Sequence, residues 1–123
     1  MRSFNLSDKG VYSQTNNWKA ADWIHVENPS SDDVEDLMTI FGIPKDYIMD
    51  SLDEYEVPRQ EKVKNGAGDD INLLIVLFPK MRSVQEKYTE YHTYPLSIIT
   101  INGTLITVCK ATPSFLTRIM KNE

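Results

Sequence analysis

The sequence has a single cysteine, Cys109, only two histidines, His25 and His92, and no apolar run longer than residues 73–78. A lone cysteine excludes an internal disulfide and points to a reducing compartment, and with two histidines far apart no zinc-ligand spacing exists. "LITVCK" reads as a strand, so Cys109 is expected to be a small buried hydrophobe. The apolar run falls far short of the roughly 20 residues that span a bilayer. The amino terminus lacks the basic start and apolar core of a signal peptide, so the sequence as it stands reads as soluble. Positive charge is scarce as well: 13 Lys and Arg face 18 Asp and Glu, for a net charge of −5. Nucleic-acid binding needs clustered basic residues, and none cluster here. Gly66 and Gly68 lack the flanking strand, helix and Lys-Ser or Lys-Thr of a phosphate loop. With no paired histidine and nucleophile and no metal-ligand cluster, the sequence does not read as an enzyme.

What is present suits one folded domain. The 123 residues are 41% hydrophobic and 25% charged, ordinary values for a globular chain. "SFNLS" and "GVYSQT", separated by Asp8-Lys9-Gly10, predict two strands and a turn. "DWIHVENP" predicts a third strand stopped by Asn28-Pro29, with His25 on the side away from Ile24 and Val26, and so at the surface. Ser30 then caps a helix, with Asp33 placed for a capping box and Val34, Leu37, Met38 and Phe41 as its apolar stripe. Acidic residues 32, 33, 35 and 36 suit the helix dipole and need no function. Gly42 ends that helix. "INLLIVLF" predicts a central strand buried on both faces and ended by Pro79, and "KMRSVQEK" a solvated loop. "EKVKNGAGDD" reads as a strand end and a loop. Asn102-Gly103 between two strand-like runs predicts a tight hairpin. Tyr88, Tyr91 and Tyr94 are expected to pack at an edge. Thr112 and Pro113 open a last helix with a stripe of Phe115, Leu116, Ile119 and Met120.

The densest chemistry lies in "YIMDSLDEYEVPRQEK", residues 47–62. Pro44 opens a second helix whose buried side is Ile48, Leu52 and Tyr55, ending at Val57-Pro58. Asp46, Asp50 and Asp53 recur at i, i+4 and i+7 on the opposite side, and Glu54 lies four residues from Asp50. Like charges at that spacing destabilise a helix by about 0.2–0.5 kcal/mol per pair. A bound cation would offset that cost; a solvated face that tolerates it is the alternative. Asp53 and Glu54 could also serve Arg59 as ion-pair partners at the helix exit.

Several pieces in order carry a resemblance: Trp23-Ile24, Pro29-Ser30, Phe41-Gly42-Ile43, Leu52-Asp53, and Pro58-Arg59 with Glu61, followed by "LLIVLFP" and "PLSIITINGTLITVCK". Over residues 23–110 the chain resembles the amino-terminal cytoplasmic domain of the CorA-type divalent metal ion transporters. The resemblance implies a mixed α/β fold, a mixed sheet sandwiched by helices, in a single domain over residues 1–123. It implies a chain that stops before a stalk helix, two membrane helices and the family's Gly-Met-Asn signature. The longer protein would sit in the cell membrane as a homopentamer with this domain on the cytoplasmic face. Mg2+ between neighbouring subunits would hold its pore shut, with Co2+, Ni2+ and Zn2+ as the other candidate ions. Asp50 is the carboxylate that corresponds by position to the family's metal ligand on this helix, with Asp46, Asp53 and Glu54 secondary; the preceding position is Met49. The partner carboxylate would lie on the stalk. A stand-alone interaction module with the same fold and no pore is the alternative function.

Overall fold

Strand-forming residues from opposite ends of the chain pair at the centre of one seven-stranded sheet. The computed structural model describes residues 1–85 and 88–123, and side chains outside 81–91. The strands are β1 (Arg2–Leu6), β2 (Tyr12–Thr15), β3 (Trp23–Glu27), β4 (Arg59–Lys64), β5 (Asp70–Gln85), β6 (Tyr88–Ile101) and β7 (Thr104–Cys109). Their spatial order is β2-β1-β3-β7-β6-β5-β4. Every neighbouring pair is antiparallel except β3 and β7, where Ile24 lies opposite Ile106 and Val26 opposite Val108. A parallel pair requires a crossover. Here it carries α1 (Ser31–Phe41) and α2 (Lys45–Met49), with a 3-10 turn over Asp50–Leu52.

Period-two alternation divides the sheet between two cores. Ile24, Val26, Ile71, Leu73, Ile75, Ile99, Ile106 and Val108 pack beneath Val34 and Leu37 of α1 and Tyr47 and Ile48 of α2. Leu37 and Ile48 are fully buried, and each such burial contributes about 1.5–3 kcal/mol. On the other face Phe4, Trp23, Phe78, Leu96 and Cys109 pack with Leu116 of α3 (Ser114–Met120). The result is the mixed α/β sandwich expected, with helices on both faces.

Local signals hold where their chemistry is local. Ser30 Oγ accepts from the Asp33 amide at 3.1 Å and Asp33 Oδ2 from the Ser30 amide at 3.0 Å, completing the capping box. Gly42 closes α1 in the left-handed region at φ 67°. A Cβ there would lie 2.8 Å from that of Asn65, whose Nδ2 donates to the Phe41 carbonyl at 2.9 Å. Asn102 and Gly103, at φ 49° and 78°, give the primed turn that joins β6 to β7.

Other expectations are corrected. Met38 is 39% exposed beyond the edge of the α1 stripe. Pro79 does not end β5: the strand continues to Gln85, opposite a β6 that begins at Tyr88, with a register shift between Met81 and Ser83. Residues 80–85 are therefore strand, not loop. The charges of the expected loop from residue 81 on, and the side chains of Tyr88 and Tyr91, lie outside the described residues. β5 is not buried on both faces along its whole length: Ile71, Leu73 and Ile75 are buried on one face and Phe78 on the other, but Leu74 is 42% exposed. Residues 59–64 form a full edge strand, and Lys62 and Lys64 pair with Asp70 at 3.5 and 3.0 Å.

His25 points away from Ile24 and Val26 as expected, but it is buried, because the chain entering α3 covers that face. Its Nδ1 lies 2.6 Å from Thr107 Oγ1 and its Nε2 2.9 Å from Thr112 Oγ1. Trp23 Nε1 donates to the same Thr107 oxygen at 2.9 Å. Each ring nitrogen thus faces a hydroxyl that can either donate or accept, so the neutral imidazole is satisfied at both positions in either tautomer. Thr112 is consequently no helix cap. Its amide donates to Glu27 Oε1 at 2.8 Å, and Pro113 takes the N-cap position without a side-chain bond. Phe115 and Ile119 remain largely exposed on α3.

Candidate functional site

The acidic stretch does not form one long helix. α2 lasts five residues, the 3-10 turn follows, and Asp53 is already extended at φ −92°, ψ 108°. The Asp50 amide still bonds to the Asp46 carbonyl, so these two stack one turn apart, while Asp53 and Glu54 have left the helix. Tyr55, expected to be buried, is 91% exposed. Its amide donates to Asp53 Oδ1 at 2.9 Å in an Asx turn.

Arg59 gathers the carboxylates around that exit. As the first residue of β4 it lies opposite Ile75, and Glu61 lies opposite Leu73, so both side chains emerge on the face covered by α1 and α2. Its guanidinium bonds Asp50 Oδ2, Glu56 Oε1 and, at 3.1 Å, Glu61 Oε1. Glu56 and Asp50 are drawn onto one cation, which a continuous helix through Tyr55 would not permit. The hydrogen bond to Asp50 is the largest cause raising the Arg59 pKa, desolvation opposes it, and Glu56 adds to it. The expected pairing of Arg59 with Asp53 and Glu54 is thus replaced by pairing with Asp50, Glu56 and Glu61. Three carboxylates around one guanidinium leave an excess of two negative charges. Burial and Glu61 raise the neighbouring Tyr47 hydroxyl.

Glu54 turns the other way. Its two oxygens lie 3.2 Å from His92 Nε2 and 3.2 Å from Lys110 Nζ, tying the 3-10 turn's exit to β6 and to the end of β7. The Lys110 hydrogen bond is the main cause lowering its pKa. Asp46, exposed in the first turn of α2, makes no ion pair among the described residues. Met49, beside Asp50, lines a groove with Val34, Met38 and Lys45.

Of the four carboxylates singled out in the sequence, two are held by basic groups, one closes a turn and one stands free. Among the described residues no three His, Cys, Asp or Glu side chains gather to hold a metal. Asp50, Glu56 and Glu61 converge instead on a cation the chain itself supplies, Arg59. Sequence reasoning placed Arg59 in an ion pair at the helix exit but with the wrong carboxylates; Glu61 stood in the same Pro-Arg motif, while Glu56 and Lys110 carried no signal short of the tertiary fold.

A family model described as CorA-like Mg2+ transporter protein matches residues 18–123. The chain belongs to the CorA-like Mg2+ transporter family. Its fold is similar to the soluble domain of CorA from Methanocaldococcus jannaschii, with a TM-score of 0.71 at 22% identity. That match covers 98% of this chain and 45% of the archaeal one, so the chain spans less than half its length. No curated protein matches. The family is one of transporters rather than enzymes. Among the described residues no helix is long and apolar enough to cross a membrane.

Proposed function

We propose that this chain is the regulatory, metal-sensing domain of a CorA-like Mg2+ transporter, placed on the cytoplasmic face of the membrane in a homopentamer. The observation that carries the reading is the family match from residue 18 to residue 123, joined to the fold likeness over 98% of the chain. Mg2+ held between subunits would supply a bridge that favours the closed pore. This chain's part is to offer Asp50 as the principal carboxylate, with Asp46, Asp53 and Glu54 nearby, and to leave room for water and for a partner's oxygen. Co2+, Ni2+ and Zn2+ are the other candidate ions. A ligand shifts such an equilibrium only by binding one arrangement more tightly, and a half-site on each subunit meets that condition because it is complete only when subunits are apposed. No observation favours the second reading, a stand-alone interaction module.

Calorimetric titration of Mg2+ into this chain and into the assembled transporter, each with and without Asp50→Ala, tests the proposal. Saturable binding in the assembly alone, lost in the variant, is the expected result. Binding that survives Asp50→Ala removes Asp50 from the site, and no binding in either protein refutes the sensor.

A further inference from the structure

The chain carries two Asn-Gly dipeptides, Asn65-Gly66 and Asn102-Gly103, and the fold treats their side chains in opposite ways. Such a dipeptide can modify itself, because a glycine without a Cβ lets its backbone nitrogen approach the preceding asparagine Cγ. A Cβ at Gly66 or at Gly103 would meet nothing within 4 Å, so crowding at the glycine does not distinguish the two. The asparagines do. We propose that Asn102 is a site of spontaneous deamidation in the folded domain, and that the fold protects Asn65 from the same reaction.

Asn65 is held at both ends of its amide. Its Oδ1 accepts from the Ala67 and Asp69 amides at 3.0 and 2.9 Å. Its Nδ2 donates to the Phe41 carbonyl at 2.9 Å and lies 3.4 Å from Asp69 Oδ2. Turning Cγ toward the Gly66 nitrogen would break these bonds and strip the carbonyl at the end of α1 of its partner. Asn102 is exposed, and among the described residues its side chain makes no hydrogen bond. It sits at φ 49° in the two-residue turn beyond the last ladder pair, Ile101 with Thr104, so the movement it needs is confined to that turn.

In the reaction the Gly103 nitrogen gives its proton to water and bonds to Asn102 Cγ; the Cγ–Nδ2 bond breaks, and Nδ2 takes up a proton and leaves as ammonia. Water then opens the cyclic imide at Cγ, giving aspartate, or at the Asn102 main-chain carbonyl carbon, giving an isoaspartate whose main chain runs through Cβ and Cγ. Water is the only co-reactant. Either product places a carboxylate in the cleft that Asp69 and Asp70 already line. The isoaspartate also lengthens a turn whose two residues set the pairing of β6 with β7. At Asn65 the same change would do more harm, since a carboxylate cannot donate to the Phe41 carbonyl and would face Asp69.

The test incubates the 123-residue chain at mildly alkaline pH, folded and in urea, and follows both sites by peptide mass spectrometry that separates isoaspartate from aspartate. In urea the two dipeptides are expected to react at similar rates. In the folded chain Asn102 is expected to react at least about tenfold faster than Asn65, because each hydrogen bond broken on the way to the imide slows the reaction severalfold and Asn65 must break more than one. A folded chain in which Asn102 reacts as slowly as Asn65 overturns the proposal and makes the hairpin turn protective. Equal, fast reaction at both sites overturns the protective role of the Asn65 hydrogen bonds. A difference as large in urea as in the folded chain assigns it to neighbouring sequence and overturns the role of the fold.

Discussion

Acid should weaken this fold well before its carboxylates protonate, and the reason is His25. The imidazole is buried, and its pKa is lowered from 6.5 to about 4, first by desolvation, then by Arg2 opposite it on β1, with Glu27 opposing. A depressed histidine binds fewer protons folded than unfolded, so stability rises with pH between the two values. The contribution is whole above pH 6.5 and is lost as pH falls through the window down to about 4. From those two values the loss between pH 7.5 and 5 is about 2 kcal/mol. With a urea slope of about 1–3 kcal/mol per molar, the unfolding midpoint should fall by about 1 M over that range. His25→Gln removes the titrating group, and although its baseline stability will drop, its midpoint should be nearly level from pH 7.5 to 5. A parent midpoint that does not move would refute the buried neutral imidazole; an equal fall in parent and variant would place the acid sensitivity elsewhere.

Gly42→Ala should destabilise the domain by about 1–3 kcal/mol, because the position sits at φ 67° and the new Cβ would meet that of Asn65 at 2.8 Å; a loss under half a kcal/mol in chemical denaturation would contradict the close approach. Cys109 is buried, and desolvation pushes its thiol up to about 11. A disulfide reagent at pH 8 should label it at least about 100-fold more slowly than it labels the urea-unfolded chain, and comparable rates would show the thiol to be exposed.

The parts of the fold legible in the sequence are those whose causes lie within a few residues. Ser30 and Asp33 cap α1 by bonds across three positions, and Asn102-Gly103 turns β6 into β7 through its own backbone angles, so neither needs a distant partner. Pro79 misled because proline removes only one amide from a ladder; β6 supplies enough pairing on both sides of Thr93 for β5 to run past it. His25 misled for a related reason. Alternation gave its direction correctly, but whether that direction is surface or core depends on Thr112, eighty-seven residues away.

The candidate site shows the same division more sharply. Periodicity extended α2 through Tyr55 because Ile48, Leu52 and Tyr55 keep helical spacing. The chain instead turns at Asp53, whose Oδ1 accepts from the Tyr55 amide, and a strand residue holds the carboxylates on either side of that turn. Arg59 reaches back to Asp50 and Glu56, and a local like-charge cost becomes a tertiary attraction once β4 is paired with β5. The acidic stretch is thus paired and structural in this chain at Asp50, Glu54, Glu56 and Glu61, while Asp46 makes no ion pair among the described residues. The charge of that stretch thereby serves the fold: Asp50 and Glu56 tie the turn to β4, and Glu54 ties it to the residue that follows β7.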